Sequence, residues 1–89
     1  MTQQEFLDFL IAEDFPVPTL VEQASRGALD IHTHPFEVKA LVLQGSISIS
    51  IRNQESIYLP GDVFHLSFEE SHSEKYGPNG VQYLASRKR

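Results

Sequence analysis

Between residues 38 and 85 the chain is a run of short segments of two-residue periodicity, broken by turn residues and never by a helical repeat. Ser46-Ile47-Ser48-Ile49-Ser50-Ile51 alternates strictly, so its isoleucines share one face of a strand and that face is buried. Val38 to Gln44 precedes it across Gly45 and is apolar on both faces, as a strand that avoids water on either side must be. Arg52-Asn53-Gln54-Glu55 reads as a hairpin connection returning through Ser56-Ile57-Tyr58-Leu59. Pro60-Gly61-Asp62 forces another turn, because proline fixes φ and glycine tolerates angles denied to other residues. Val63 to Phe68 is extended again, Glu69-Glu70-Ser71 connects, and His72 to Tyr76 is a further strand. Gly77-Pro78-Asn79-Gly80 then reads as a hairpin before Val81 to Ala85. Upstream, Leu20 to Gln23 is a weaker strand candidate and Leu29 to His32 a better one. Seven or eight short strands with no helix between them exclude a doubly wound nucleotide-binding fold and predict an all-β antiparallel sandwich or barrel.

A short helix precedes these strands. Thr2 and Glu5 have the spacing of a capping box, and Phe6, Leu7, Leu10 and Ile11 recur on one helical face. The helix, about residues 2–14, ends near Asp14-Phe15, since Pro16 restricts its predecessor and Pro18 prevents a regular continuation. Its apolar stripe is read as covering one end of the domain or a partner subunit. The 89 residues make one domain, with the strand region at about 20–86, and bury only about 60% of the surface the unfolded chain exposes.

Composition narrows the chemistry. There is no cysteine, so disulfides and thiolate ligands are excluded and any metal must be held by nitrogen and oxygen. A formal charge of -5 disfavours broad attraction to nucleic acid or membrane, and Arg87-Lys88-Arg89 reads as a frayed, solvated tail. The first residues lack a cationic leader and a span of about 20 apolar residues. A soluble, cytoplasmic protein with no nucleic-acid and no membrane partner is expected. No phosphate-binding glycine loop and no serine nucleophile elbow is present.

His32-Thr33-His34 places two imidazoles on one side of an extended strand, with Thr33 facing away. Such a pair reaching His72 across a sheet could hold a first-row metal with open positions. The alternatives are a chance pattern at a surface or loop, and polar residues lining an empty or water-filled barrel. His65, between Phe64 and Leu66, reads as a surface or interface histidine. Glu74 and Tyr76 share the parity of His72, which would let them line a cavity as proton acceptor and hydrogen-bond donor or stand at its rim. Phe36, Tyr58 and Tyr83 are candidate pocket-wall aromatics whose default role is packing. Ser46, Ser48 and Ser50 read as a solvated strand face.

In this order and separation, the segments from Gly27 to Ala85 resemble the cupin superfamily, in particular its small single-domain members. Gly27-Ala28-Leu29-Asp30-Ile31-His32-Thr33-His34-Pro35-Phe36-Glu37 with the later Gly45 is similar to the first cupin motif. Pro60-Gly61-Asp62, with His72 ten residues beyond Asp62, is similar to the second, with Ser67 and Glu69 where the family's usual proline and glycine stand. The resemblance implies a small antiparallel jelly-roll barrel with a short N-terminal helix, and makes His32, His34 and His72 the ligands of a divalent ion: Zn, Fe, Mn or Ni. It also implies a glutamate ligand. That position is occupied by Val38, and Glu37 lies one residue early, so Glu37 joins the metal only if a bulge reverses its direction.

The resemblance further implies a homodimer, consistent with a second apolar face, Leu41 and Leu43, that needs cover from a second sheet, the helix or another protomer. The function it implies is a metal-binding, small-molecule cupin, with a metalloenzyme acting on a small polar or carboxylated metabolite as its catalytic form. The alternative is a noncatalytic ligand-binding or regulatory module, and a storage or assembly role stands third. No residue selects among isomerisation, decarboxylation and dioxygenation.

Overall fold

The computed structural model describes all 89 residues. Helix α1 (Gln3–Ala12) is followed by strands β1 (Thr19–Gln23), β2 (Ala28–His32), β3 (Glu37–Ile51), β4 (Gln54–Tyr58), β5 (Val63–Leu66) and β6 (His72–Lys88). The helix begins as its sequence dictates: the Thr2 hydroxyl accepts from the Glu5 backbone N–H, and the Glu5 carboxylate accepts from the Thr2 N–H. It ends at a Glu13 cap, before Asp14 takes a φ of 58° and Pro16 follows. No helix is long and apolar enough to cross a membrane.

The strands form one six-stranded antiparallel sheet organised by two long members, β3 and β6. The first part of β3 pairs with β5 and with the end of β6, which in turn pairs with β1. The second part of β3 pairs with β4 and with the start of β6, which in turn pairs with β2. Each half therefore holds four strands, and β3 and β6 run through both. Residues of both halves meet in one core cluster, with Val38, Ala40, Phe64, Leu66 and Tyr83 from one half and Ile47, Ile49 and Tyr76 from the other.

Two expectations are corrected here. Residues 38–44 and 46–51 are a single strand through Gly45, and Gly77 to Gly80 is not a hairpin but part of one 17-residue strand. The reason is shared pairing: Tyr76 lies opposite Ile47 and Val81 opposite Gly45, so the four residues 77–80 bulge against Ser46 alone. The connection from β1 to β2 ties down the bulge, where the Gly77 carbonyl accepts from the Arg26 N–H and the Pro78 carbonyl from the Ser25 hydroxyl. The count is accordingly six strands rather than seven or eight. The true hairpin is at Arg52-Asn53, whose φ values of 52° and 66° give a two-residue turn of the mirror-image type that matches strand twist.

The outer apolar face finds its cover within the chain. Phe6 and Leu10 of α1 are buried against Leu41, with Leu43, Val63 and Leu84 around them. Lys39 and Lys88 lay their ammonium groups over Phe9 and Phe15, and Lys88 donates to the Glu13 carbonyl. The terminal basic residues are therefore not frayed: β6 continues to Lys88, and Arg87 donates to the Thr19 hydroxyl.

Candidate metal centre

His32 and His72 are direct cross-strand partners of β2 and β6, brought opposite each other by an irregularity in β2 after Leu29. His34 lies just past the end of β2, with exposed Thr33 turned away between the two histidines. The three rings converge, with centroids 4.3 Å apart for His32 and His72, 4.9 Å for His32 and His34, and 5.3 Å for His34 and His72. Alternation along β6 adds Glu74 to the same face. One candidate ligand atom from each of His32, His34, His72 and Glu74 lies within 4.8 Å of every other. Two atoms bound about 2.1 Å from one ion lie roughly 3.0–3.4 Å apart at cis or tetrahedral angles and about 4.2 Å apart when trans, so the group would draw inward around an ion.

Two of the imidazoles are oriented by backbone carbonyls. His32 Nδ1 lies 2.6 Å from the Asp30 carbonyl and His72 Nδ1 lies 2.9 Å from the Glu70 carbonyl, each two residues back. A carbonyl can only accept, so each Nδ1 carries the proton and donates, which leaves Nε2 as the inward lone pair. His72 Nε2 lies 3.1 Å from Glu74 Oε2, and His32 Nε2 lies 3.4 Å from the same oxygen. Yet His32 Nε2 is buried and makes no hydrogen bond at all. A buried nitrogen lone pair without a donor is costly, and a cation shared with His72 and Glu74 would satisfy it.

Glu74 is 7% exposed and His72 1%, so the carboxylate sits where only fixed partners can stabilise its charge. The Tyr76 hydroxyl donates to Glu74 Oε1 at 3.1 Å, which turns Oε2 toward the histidines. Burial, then the Glu74 charge, pushes the Tyr76 phenol far above its usual range, so it remains a donor. Burial and the same carboxylate push Tyr83 up to about 12. His34 is held below the ordinary imidazole range, first by desolvation and then by His32 and His72, which keeps it neutral and able to ligate at neutral pH.

Glu37, the carboxylate suggested by the first motif, is not part of this group. No register shift occurs from Glu37 to Leu41, so Val38 faces the core at 6% exposure and Glu37 faces outward. There it pairs with the exposed His65. Glu74 was visible in the sequence as a residue of His72 parity, but only the folded sheet shows its carboxylate between two imidazoles. Beside the cluster is a cavity of about 140 Å³, bounded by His34 and Glu74 at one side and by Arg87, with Phe36, Phe64 and Tyr83 in its walls. Tyr58 packs against the core instead.

This fold recurs among solved structures. A cupin superfamily protein from Desulfitobacterium hafniense superposes with a TM-score of 0.68 at 20% identity, covering 78% of this chain and 62% of its own. The chain has the cupin fold. A cupin-2 domain containing protein from Shewanella frigidimarina matches over 94% of this chain and 92% of its own, with a TM-score of 0.69 at 16% identity. An RmlC-like cupin from the same organism matches 81% of this chain and 65% of its own, with a TM-score of 0.67 at 12% identity. No protein-family model matches the sequence, and comparison with curated proteins finds no match. The chain thus spans less than two thirds of the length of the Desulfitobacterium protein and nearly all of the shorter Shewanella one.

Proposed function

We propose that this chain is a metal-binding cupin that holds one divalent ion through His32, His34, His72 and Glu74 and takes a small polar or carboxylated metabolite beside it. The observation that carries the proposal is the buried, unpartnered Nε2 of His32, aimed at an oxygen that already faces His72. Three neutral imidazoles and a carboxylate form a set suited to Zn, Fe, Mn or Ni. When bound, such an ion polarises a ligand oxygen as a Lewis acid. The chain's own residues do the rest. The Asp30 and Glu70 carbonyls fix the tautomers, Tyr76 orients Glu74, and Val38, Phe64 and Leu66 keep the adjoining space apolar.

The reading takes the 89 residues as one cupin domain whose two half-sheets close into a jelly-roll barrel, placed in the cytoplasm as a homodimer. Since α1 covers Leu41 and Leu43, the dimer finds its support elsewhere, in exposed Ile31, Ile57, Leu59 and Phe68. A noncatalytic binding module is the second reading. It is favoured by one feature: Glu74 is the only carboxylate lining the cavity, and as a metal ligand that also accepts from Tyr76 it is not a free general base.

Protein purified without an affinity tag is expected to contain, or to take up, close to one divalent ion per chain by elemental analysis. Its melting temperature is expected to rise with added Mn2+, Fe2+, Ni2+ or Zn2+. Absence of both metal and metal-induced stabilisation would reject the proposal. Turnover of candidate metabolites then separates enzyme from binding module, since affinity alone does not establish catalysis.

A further inference from the structure

The cavity beside the His/Glu cluster carries an unusual charge for this chain. Arg87 is the only lysine or arginine lining it and Glu74 the only acid. With a divalent ion held by neutral imidazoles and one carboxylate, the cluster has a net charge of about +1, and Arg87 brings the cavity to about +2. The protein as a whole carries -5. A positive cavity in an acidic chain favours an anion and repels a cation of comparable size.

Arg87 is also free to bind one. It makes no ion pair with any Asp or Glu. One guanidinium nitrogen donates to the Thr19 hydroxyl at 3.0 Å, and Cζ lies 5.9 Å from the centre of the Phe36 ring. These two contacts orient the group without neutralising it, and most of its five N–H donors are left over. Its direction follows from the ladder: Arg87 is opposite Val38, which faces the core, and shares the strand face of inward Tyr83 and Ala85, while its own side chain, near the end of β6, stays exposed to solvent. Phe36 in turn stacks on His34 at 5.0 Å, so one aromatic ring neighbours both the free cation and the cluster.

Apart from Gln23 and the Tyr83 hydroxyl the rest of the wall is apolar, including Val21, Leu29, Phe64 and Leu66, and 140 Å³ is the space of about five liquid waters. Charge, donor geometry and size converge. We infer that the ligand is a short-chain monocarboxylate, its carboxylate held by Arg87 and its small apolar body against these side chains, with the far end toward the His/Glu cluster. This rests on the metal-site reading above and adds to it the residue that selects the ligand.

The test is calorimetric titration of the metal-loaded full chain with 2-hydroxyisobutyrate and with its neutral amide, for wild type and for Arg87→Gln and Arg87→Lys. Metal affinity and melting temperature are measured on each protein in parallel. Wild type is expected to bind the acid at least about tenfold more tightly than the amide. Arg87→Gln is expected to weaken the acid by on the order of tenfold to a hundredfold, leaving the amide and the metal affinity unchanged, with Arg87→Lys recovering part of the loss. Equal affinity for the acid in Arg87→Gln and wild type, with metal bound in both, would overturn this inference and leave the metal site standing. Equal affinity of wild type for acid and amide would do the same. Failure of wild type to bind metal would overturn both.

Discussion

Replacing His72 by alanine is expected to abolish the metal-dependent rise in melting temperature. At free metal one hundred times its dissociation constant, a site present only in the folded state adds about 2.7 kcal/mol. For a domain of 89 residues that corresponds to roughly 11–22 °C. Of the four proposed ligands His72 is the one whose loss is expected to cost most: it is 1% exposed, its Nδ1 is fixed by the Glu70 carbonyl, and its Nε2 faces the shared Glu74 oxygen. Its removal also leaves a void in the buried cluster, so the metal-free variant melts lower than wild type. The decisive quantity is therefore the shift on metal addition within each variant. Glu74→Gln is the companion, because it keeps the volume and removes the charge. It is expected to weaken the metal without abolishing it, as three imidazoles remain. In wild type, affinity is expected to fall as pH drops through the imidazole range, since protons compete for the same lone pairs. Unchanged metal affinity in His72→Ala would refute the coordination.

What could be read from the sequence was whatever depends on local periodicity. The parity of His32 and His34, the buried face of Ile47 and Ile49, and the Thr2 capping box each need only neighbours two to four residues away, and each is present in the fold. Glu74 marks the boundary of such reasoning. Its parity with His72 was plain, but its place as the cluster's carboxylate depends on β2 delivering His32 opposite His72, a contact across 40 residues. The first motif pointed to Glu37 instead, and a regular ladder through Val38 is what turns that residue outward.

Gly77-Pro78-Asn79-Gly80 failed for a related reason. The same residues serve a hairpin and a wide bulge, and the choice between them was made by β3, which is long enough to pair with both flanking segments. Arg87 was hidden by position: three basic residues at a terminus look solvated, but β6 pairs Arg87 with Val38 and Lys88 with Glu37. Local pattern thus gave the layers, and long-range register supplied the chemistry.

Gly45→Ala is expected to cost on the order of 3–5 kcal/mol, a large part of the roughly 4–13 kcal/mol available to a chain of this length. Two penalties combine. Gly45 has a φ of 76°, which costs a side chain about 1–2 kcal/mol. Its Cβ would also lie 2.1 Å from the Gly80 carbonyl oxygen, and that obstacle is backbone that cannot rotate aside. Gly80 cannot retreat either, because its own Cβ position is 2.5 Å from the Gln23 carbonyl oxygen and its φ is 72°. Gly61→Ala separates the two effects: its φ is 92°, but the nearest atom to the added carbon is 3.9 Å away. It is expected to lose only about 1 kcal/mol. Denaturant melts of both variants measure the difference. The corner also fixes the register of Ile47 and Ile49 against Tyr76 and Glu74, so whatever Gly45→Ala protein folds is expected to bind metal more weakly. A Gly45→Ala variant as stable as Gly61→Ala would mean that β3 and β6 do not cross as closely at this corner as their bulged pairing requires.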